Sequence, residues 1–220
     1  MTMPSYTAQA SASSHVRRRV EPLQQAYLRN DGPASSRATA TLAQLRRLDP
    51  MQPADDPSLY DLLFEGMPEN LVGHTDDPSR GELAVATSLH LFALHQQGRG
   101  SAVHRPGVRF GGAVRTLAFR RGQAGQLDPG VVSRFSLLVH ASTIRMTITH
   151  LRALVSQMRP LDIELDYGQL AADLFDLQNP QRQSTVHLRW ARAFHRAHPT
   201  SSTTTETPAN TDVEPTTETD

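Results

Sequence analysis

An all-α fold, a single helical bundle of about eight helices with disordered N- and C-terminal tails, is what the sequence predicts, on three observations. Apolar residues recur at steps of three and four along nearly the whole of residues 15–198. No run of alternating apolar and polar residues long enough for a strand interrupts them. Pro, Gly and Asn clusters fall between the periodic stretches at helix-length intervals.

A first helix near 15–30 carries Val16, Val20, Leu23 and Tyr27, with Pro22 as a kink or a late start. A second covers about 36–48, capped by Ser35 or Ser36, with Leu42, Leu45 and Leu48 inside, and Asp49-Pro50 stops it. "PSLYDLLFEGMP" is a short helix bounded by Pro57 and Pro68. Ser79 with Glu82 three residues later is a capping box, and it opens a helix with Val85, Leu89 and Phe92 as its buried stripe. Gly98 and Gly100 end that helix. Residues 109–120 form another, burying Ala113, Val114 and Leu117. Pro129 leads a helix with Val131, Phe135, Leu138 and Ser142 on one side. From about 143, Ile144, Ile148, Leu151, Val155 and Met158 make the stripe of the next, which Pro160 ends. Asp166 caps 167–177, and 183–196 buries Val186, Trp190 and Phe194. Segments 1–14 and 199–220 hold almost no residue able to pack and read as disordered, so 15–198 is one helical domain.

The 220 residues suit one domain with a real core, and there is no cysteine, which excludes disulfides and thiolate metal sites. No apolar run approaches the roughly 20 residues of a membrane-spanning helix, and the basic, Ser-rich start has no apolar h-region. His90 and His95 are five apart, about 140° round a helix, and do not converge on one ion as an i, i+4 pair would. His104 lies in a Gly-bounded loop within reach of a ligand. In "DIELDYG" the acids alternate, but the turn Gly of a calcium loop comes one residue late, so a helix cap is the better reading. No HExxH, GxSxG, P-loop or GxGxxG occurs. The sequence therefore predicts neither enzyme nor cofactor nor metal.

Charge is the informative property. All 22 basic residues are Arg, and they balance 22 acids only because the two signs lie in separate blocks. Residues 49–77 hold eight acids and no Arg, whereas 80–159 hold eleven Arg against Glu82 and Asp128. Residues 162–176 hold five acids and no Arg, 182–196 four Arg and no acid, and 199–220 five acids and no base. Such segregation predicts a bipolar surface. Arg145, Arg152 and Arg159 fall on one file of their helix, and Arg182, Arg189 and Arg196 on another. Arg46, Arg47 and Arg159 suit helix C-termini in any case. Guanidinium forks match phosphate oxygens, and a file of them can follow a nucleic-acid backbone. Few aromatics lie off the core stripes, which argues against base stacking. Spacing alone leaves nucleic acid and a protein interface both open.

The segments "ELAVATSLHLFALHQQGRG", "FGGAVRTLA", "RFSLLVHAS", "HLRALV", "LDYGQLAADL" and "VHLRWARAFH" occur in an order that resembles the CasB family. That family is the small subunit of Cascade, the type I-E CRISPR surveillance complex, and the resemblance runs from about residue 16 to 196. It implies an all-α, non-catalytic, cytoplasmic protein of antiviral defence. It further implies two copies beside the backbone and large subunits, holding the guide RNA–DNA R-loop by contacts to target and displaced strands. Carried over, it points to Arg46 and Arg47 in "LRR", Arg115 in "GGAVR", Arg134 in "RFSLL" and Arg152 in "HLRAL". Where the family often has paired arginines before that Phe, this chain has Ser133-Arg134, and His140 stands at a position that can be basic. Arg145 joins the set from the helical file alone. The alternative is an assembly-only scaffold whose arginines dock neighbouring subunits or RNA and never touch DNA.

Overall fold

The computed structural model describes residues 3–196 of the chain. Nine α-helices follow one another among the described residues: α1 (Met3–Arg29), α2 (Gly32–Arg47), α3 (Tyr60–Phe64), α4 (Arg80–Gln96), α5 (Phe110–Arg121), α6 (Pro129–Val139), α7 (Ile144–Met158), α8 (Tyr167–Leu177) and α9 (Pro180–Arg196). Short 3-10 turns occupy Pro57–Leu59, Glu69–Leu71 and Arg159–Leu161. The extended backbone pairing among the described residues is a single parallel bridge between His104 and Leu165. The all-α expectation holds, and no described helix is long and apolar enough to cross a membrane.

α4 sits at the centre, packed by α1, α2, α7 and α8. The expected stripe of three residues understates it, because Gly81 and Leu83 to Ala93 are buried without a break. A helix apolar or small all round belongs inside a core. Its polar groups are satisfied there. Ser88 Oγ donates to the Tyr167 carbonyl at 2.7 Å, and the His90 Nδ1–H donates to the Leu45 carbonyl at 2.9 Å. His95 Nδ1 shares a hydrogen bond with the Tyr167 hydroxyl at 2.8 Å. The capping box closes the helix start: Glu82 N–H donates to Ser79 Oγ at 3.0 Å, and Ser79 N–H to Glu82 Oε2 at 2.7 Å.

The N-terminal boundary needs correction. Residues 1–14 were expected to be disordered, but α1 begins at Met3 and puts Ala8, Gln9 and Ala12 in the interior. Ala8, Ala12, Val16 and Val20 recur at i, i+4, so the low-hydropathy start continues a narrow apolar stripe. Its small residues let α1 lie close along α8, where Gly168 meets Arg17 and the Ser13 carbonyl. Pro22 neither starts nor stops α1. α2 begins at Gly32, with Asp31 rather than Ser35 or Ser36 at its cap position. α6 ends at Val139, leaving Ser142 in the connection to α7, where its Oγ donates to Met146 Sδ at 3.6 Å. Residues 199–220 lie outside the described residues.

Asp166 caps α8 as expected, accepting from Gln169 N–H at 3.0 Å. It also accepts from Gly107 N–H at 2.8 Å and from the Arg17 guanidinium at 2.6 Å, which ties α1 and the 101–109 loop to α8. Burial alone would raise this carboxyl, but the three donors outweigh it and hold it below the usual carboxylate range.

Buried imidazoles set the pH dependence. His15 donates from Nε2 to the Leu63 carbonyl at 2.9 Å, and burial pushes both His15 and His95 down to about 4. Their folded values lie below that of an unfolded histidine, about 6.5, so their contribution is present at neutral pH and lost as pH falls toward 4. Burial pushes the Asp173 carboxyl up to about 6, an opposing contribution that is lost as pH rises through that value. Two histidines against one carboxylate leave a net loss on acidification, with His95 alone accounting for about 2–3 kcal/mol between pH 7 and 4.5. Urea unfolding at the two pH values measures this, and equal stability at both would refute it.

Candidate nucleic-acid interface

Which arginines are free to meet a partner follows from which are held inside the fold. Most of the acidic block 162–176 is consumed internally. Asp162 pairs with Arg99, Glu164 with Arg105 at 3.0 Å, and Asp166 with Arg17 at 2.6 Å. Arg182 reaches Asp176 at 3.2 Å, and Arg189 reaches Asp173 at 3.3 Å and Asp176 at 3.5 Å. The last two acids are buried in the α8–α9 seam, where Trp190 Nε1–H also donates to Asp173 at 2.6 Å. Other guanidiniums hold the backbone: Arg19 donates to the Leu62 and Glu65 carbonyls and Arg120 to that of Leu161. Arg159 donates to Gln97 Oε1 at 3.1 Å, and Arg121 faces Asp128 at 3.8 Å.

Five of the seven expected site residues behave differently. Arg46, Arg47, Arg134, Arg145 and Arg152 make no side-chain hydrogen bond or ion pair among the described residues, and only Arg46 is half-buried. Arg115 is half-buried, its guanidinium 5.7 Å over the ring of Phe194 between α5 and α9. His140, exposed at the C-cap of α6, donates from Nδ1 to the Ser136 carbonyl at 2.8 Å.

The fold carries four of these side chains on one hairpin. α6 and α7 pack as a hairpin joined by residues 140–143, which places Arg134 and His140 on one arm and Arg145 and Arg152 on the other. Thr143 starts the second arm, accepting from Met146 N–H at 3.2 Å. Thr147, Ile148, Leu151, Val155 and Met158 then face inward, leaving Arg145, Thr149, Arg152 and Ser156 exposed. Seven residues of helix separate Arg145 from Arg152, about 10.5 Å at 1.5 Å per residue, or roughly three phosphate steps of one strand.

His90 links this arm to the end of α2. It donates to the carbonyl of Leu45, the residue before Arg46, and it feels the charges of both Arg152 and Asp49. Burial and then the Arg152 charge press its pKa down, against the Leu45 bond and Asp49, so it stays neutral and adds nothing to the positive face. Arg115 lies on α5, its guanidinium facing α9. The hairpin also exposes three apolar side chains, Val132, Leu137 and Met146.

The remaining sequence candidates are structural. His104 is buried, its Nδ1 accepting from Tyr167 N–H at 3.1 Å, and it presents nothing to a ligand. No group of three or more His, Asp or Glu able to hold a metal ion occurs among the described residues. One basic feature lay outside the expected set: Arg109, Arg192 and Arg196 line a groove of about 620 Å³ between α5 and α9. Steps of four and three along α9 show Arg189, Arg192 and Arg196 on one face, but nothing in the sequence shows that Arg109 meets them.

The family model described as CRISPR-associated protein Cse2 matches residues 41–195, a span holding all seven expected site residues. The chain is similar to the crystal structure of CasB from Thermobifida fusca, at 31% identity over 84% of this chain and 98% of that one, with a TM-score of 0.63. It shares its fold with M. ruber CasB, at 20% identity over 81% of this chain and 93% of that one, with a TM-score of 0.53. No curated protein matches the chain. With a family model covering more than half of its length and a CasB structure 31% identical, the chain belongs to the CasB (Cse2) family of CRISPR-associated proteins.

Proposed function

We propose that this chain is the non-catalytic small subunit of a type I-E Cascade complex, and that it stabilises the R-loop by holding DNA backbone on the face formed by the end of α2 and the α6–α7 hairpin. The observation that carries this reading is the contrast in arginine pairing. Where an acid lies within reach, the fold uses the guanidinium internally, and Arg46, Arg47, Arg134, Arg145 and Arg152 are left unpaired at the end of α2 and on the α6–α7 hairpin. Unpaired, exposed guanidiniums fit a phosphate backbone, and base pairing to the guide would supply the sequence specificity. The partners on this reading are the backbone and large subunits, a second copy of the chain and the R-loop, within the cytoplasm.

A second reading, an assembly module without DNA contact, is favoured by Val132, Leu137 and Met146, since arginine beside exposed apolar groups also suits protein interfaces. Crosslinking the assembled complex to a photoreactive displaced strand separates the two. The proposal expects crosslinks to α7 peptides around Arg145 and Arg152, and crosslinks confined to other subunits would sink it.

A further inference from the structure

The groove between α5 and α9 carries a separate inference. Gly107, Arg109, Gly112, Thr185, Leu188, Arg189, Arg192, Ala193 and Arg196 enclose it, and no carboxylate stands among these lining residues. Arg189 is already paired with Asp173 and Asp176, whereas Arg109, Arg192 and Arg196 make no hydrogen bond or ion pair among the described residues and are exposed. Leu188, half of its surface open at 49%, adds an apolar floor. Three unneutralised cations held together repel one another, and a polyanion would relieve that repulsion.

We propose that the occupant is the chain's own segment 199–220, which docks on this groove through its carboxylates. The segment follows directly from the helix that forms the groove and holds Glu206, Asp212, Glu214, Glu218 and Asp220 with no base. Reach is ample. Ten residues separate Arg196 from Glu206 and span up to about 33 Å when extended, while Arg189 lies only about 10.5 Å back along α9 from Arg196. Tethering supplies an effective concentration on the order of millimolar, so carboxylate–guanidinium contacts too weak to hold a free peptide suffice here.

The composition of the chain offers a clean test. It has one tryptophan, Trp190 on α9, and no cysteine, so Thr216→Cys in the full chain creates a unique site for an energy-transfer acceptor. Transfer from Trp190 should be strong near 0.01 M salt and fall at least twofold near 1 M, as the screening length shrinks from about 30 Å to about 3 Å. A second chain carrying E206Q, D212N, E214Q, E218Q and D220N, which alters no residue of the described helices, should show the low value at every salt. So should R109A/R192A/R196A. Transfer that ignores salt, or that stays high in the triple arginine variant, overturns the proposal. If transfer ignores salt while the arginine variant binds oligothymidine more weakly than the parent, the groove serves nucleic acid instead and the tail proposal is overturned.

Discussion

Replacing Arg46, Arg47, Arg134 and Arg152 together with alanine should loosen the hold of the assembled complex on DNA and flatten its salt dependence. Each phosphate contact contributes about 0.7 to 0.9 to the slope of log affinity against log salt, so four lost contacts lower that slope by about 3. Between 0.05 and 0.2 M salt, the ratio of parent to variant affinity should then shrink by about 60-fold. The fold should survive, because none of the four makes a side-chain hydrogen bond or ion pair among the described residues and all but the half-buried Arg46 are exposed, where substitutions usually fall within about ±0.5 kcal/mol each. Arg189→Ala is the contrast. It removes the ion-pair partner of buried Asp173 and one of the two partners of buried Asp176, so it should lower the melting temperature and leave the salt slope alone. Filter binding or anisotropy across a salt series reads the slopes. A quadruple variant with the parent's slope would remove these four residues from the interface.

Gly111→Ala should destabilise the α5–α9 seam strongly. A Cβ at that position would lie 2.0 Å from the Trp190 carbonyl oxygen, 2.8 Å from its carbonyl carbon and 3.0 Å from the Phe194 nitrogen. These are backbone atoms of α9 and cannot rotate aside, so α5 and α9 must separate along a seam that buries Phe110, Trp190 and Phe194. Overpacking commonly costs 1–3 kcal/mol, and backbone on both sides puts this case at about 3 kcal/mol. In a domain of this size each kcal/mol shifts the midpoint by about 2–4 °C, so a drop of about 6–12 °C is expected in thermal unfolding. Gly100→Ala, with no atom within 4 Å of the added Cβ, should melt with the parent. Equal melting of the Gly111 variant would mean that α5 does not approach α9 this closely.

Helix existence was legible in the sequence because period and punctuation agreed. The Ser79–Glu82 box, the Asp166 cap and Pro129 at the start of α6 are local devices, and each acts where local reasoning put it. Errors arose where tertiary packing decides. The start of α1 looks too polar and too small to pack, yet small residues are what close approach to α8 requires. The stripe on α4 reads as one face because Ser88, His90 and His95 look polar, and only their partners on α2 and α8 show why they are inside.

The site follows the same division. Arg145 and Arg152 share a helix file, which spacing reveals. The nearness of Arg152 to the end of α2 runs through His90 and is invisible without the fold. Pairing was equally hidden. Arg99 and Arg105 sit in a segment almost free of acids, but their partners arrive from Asp162 and Glu164, some 60 residues later.

The docking of α1 on α8 has a consequence for synthesis. α1 spans Met3–Arg29 and α8 spans Tyr167–Leu177, so the first helix to be made takes its most extensive contacts from one of the last. Throughout most of translation the stripe of Ala8, Ala12, Val16 and Val20 has no α8 to cover it. Elongation at about 5–20 residues per second leaves that surface open for about 7–28 s. Completion of the fold therefore waits on release of the chain's last quarter, and a nascent chain stalled before Tyr167 leaves this helix uncovered.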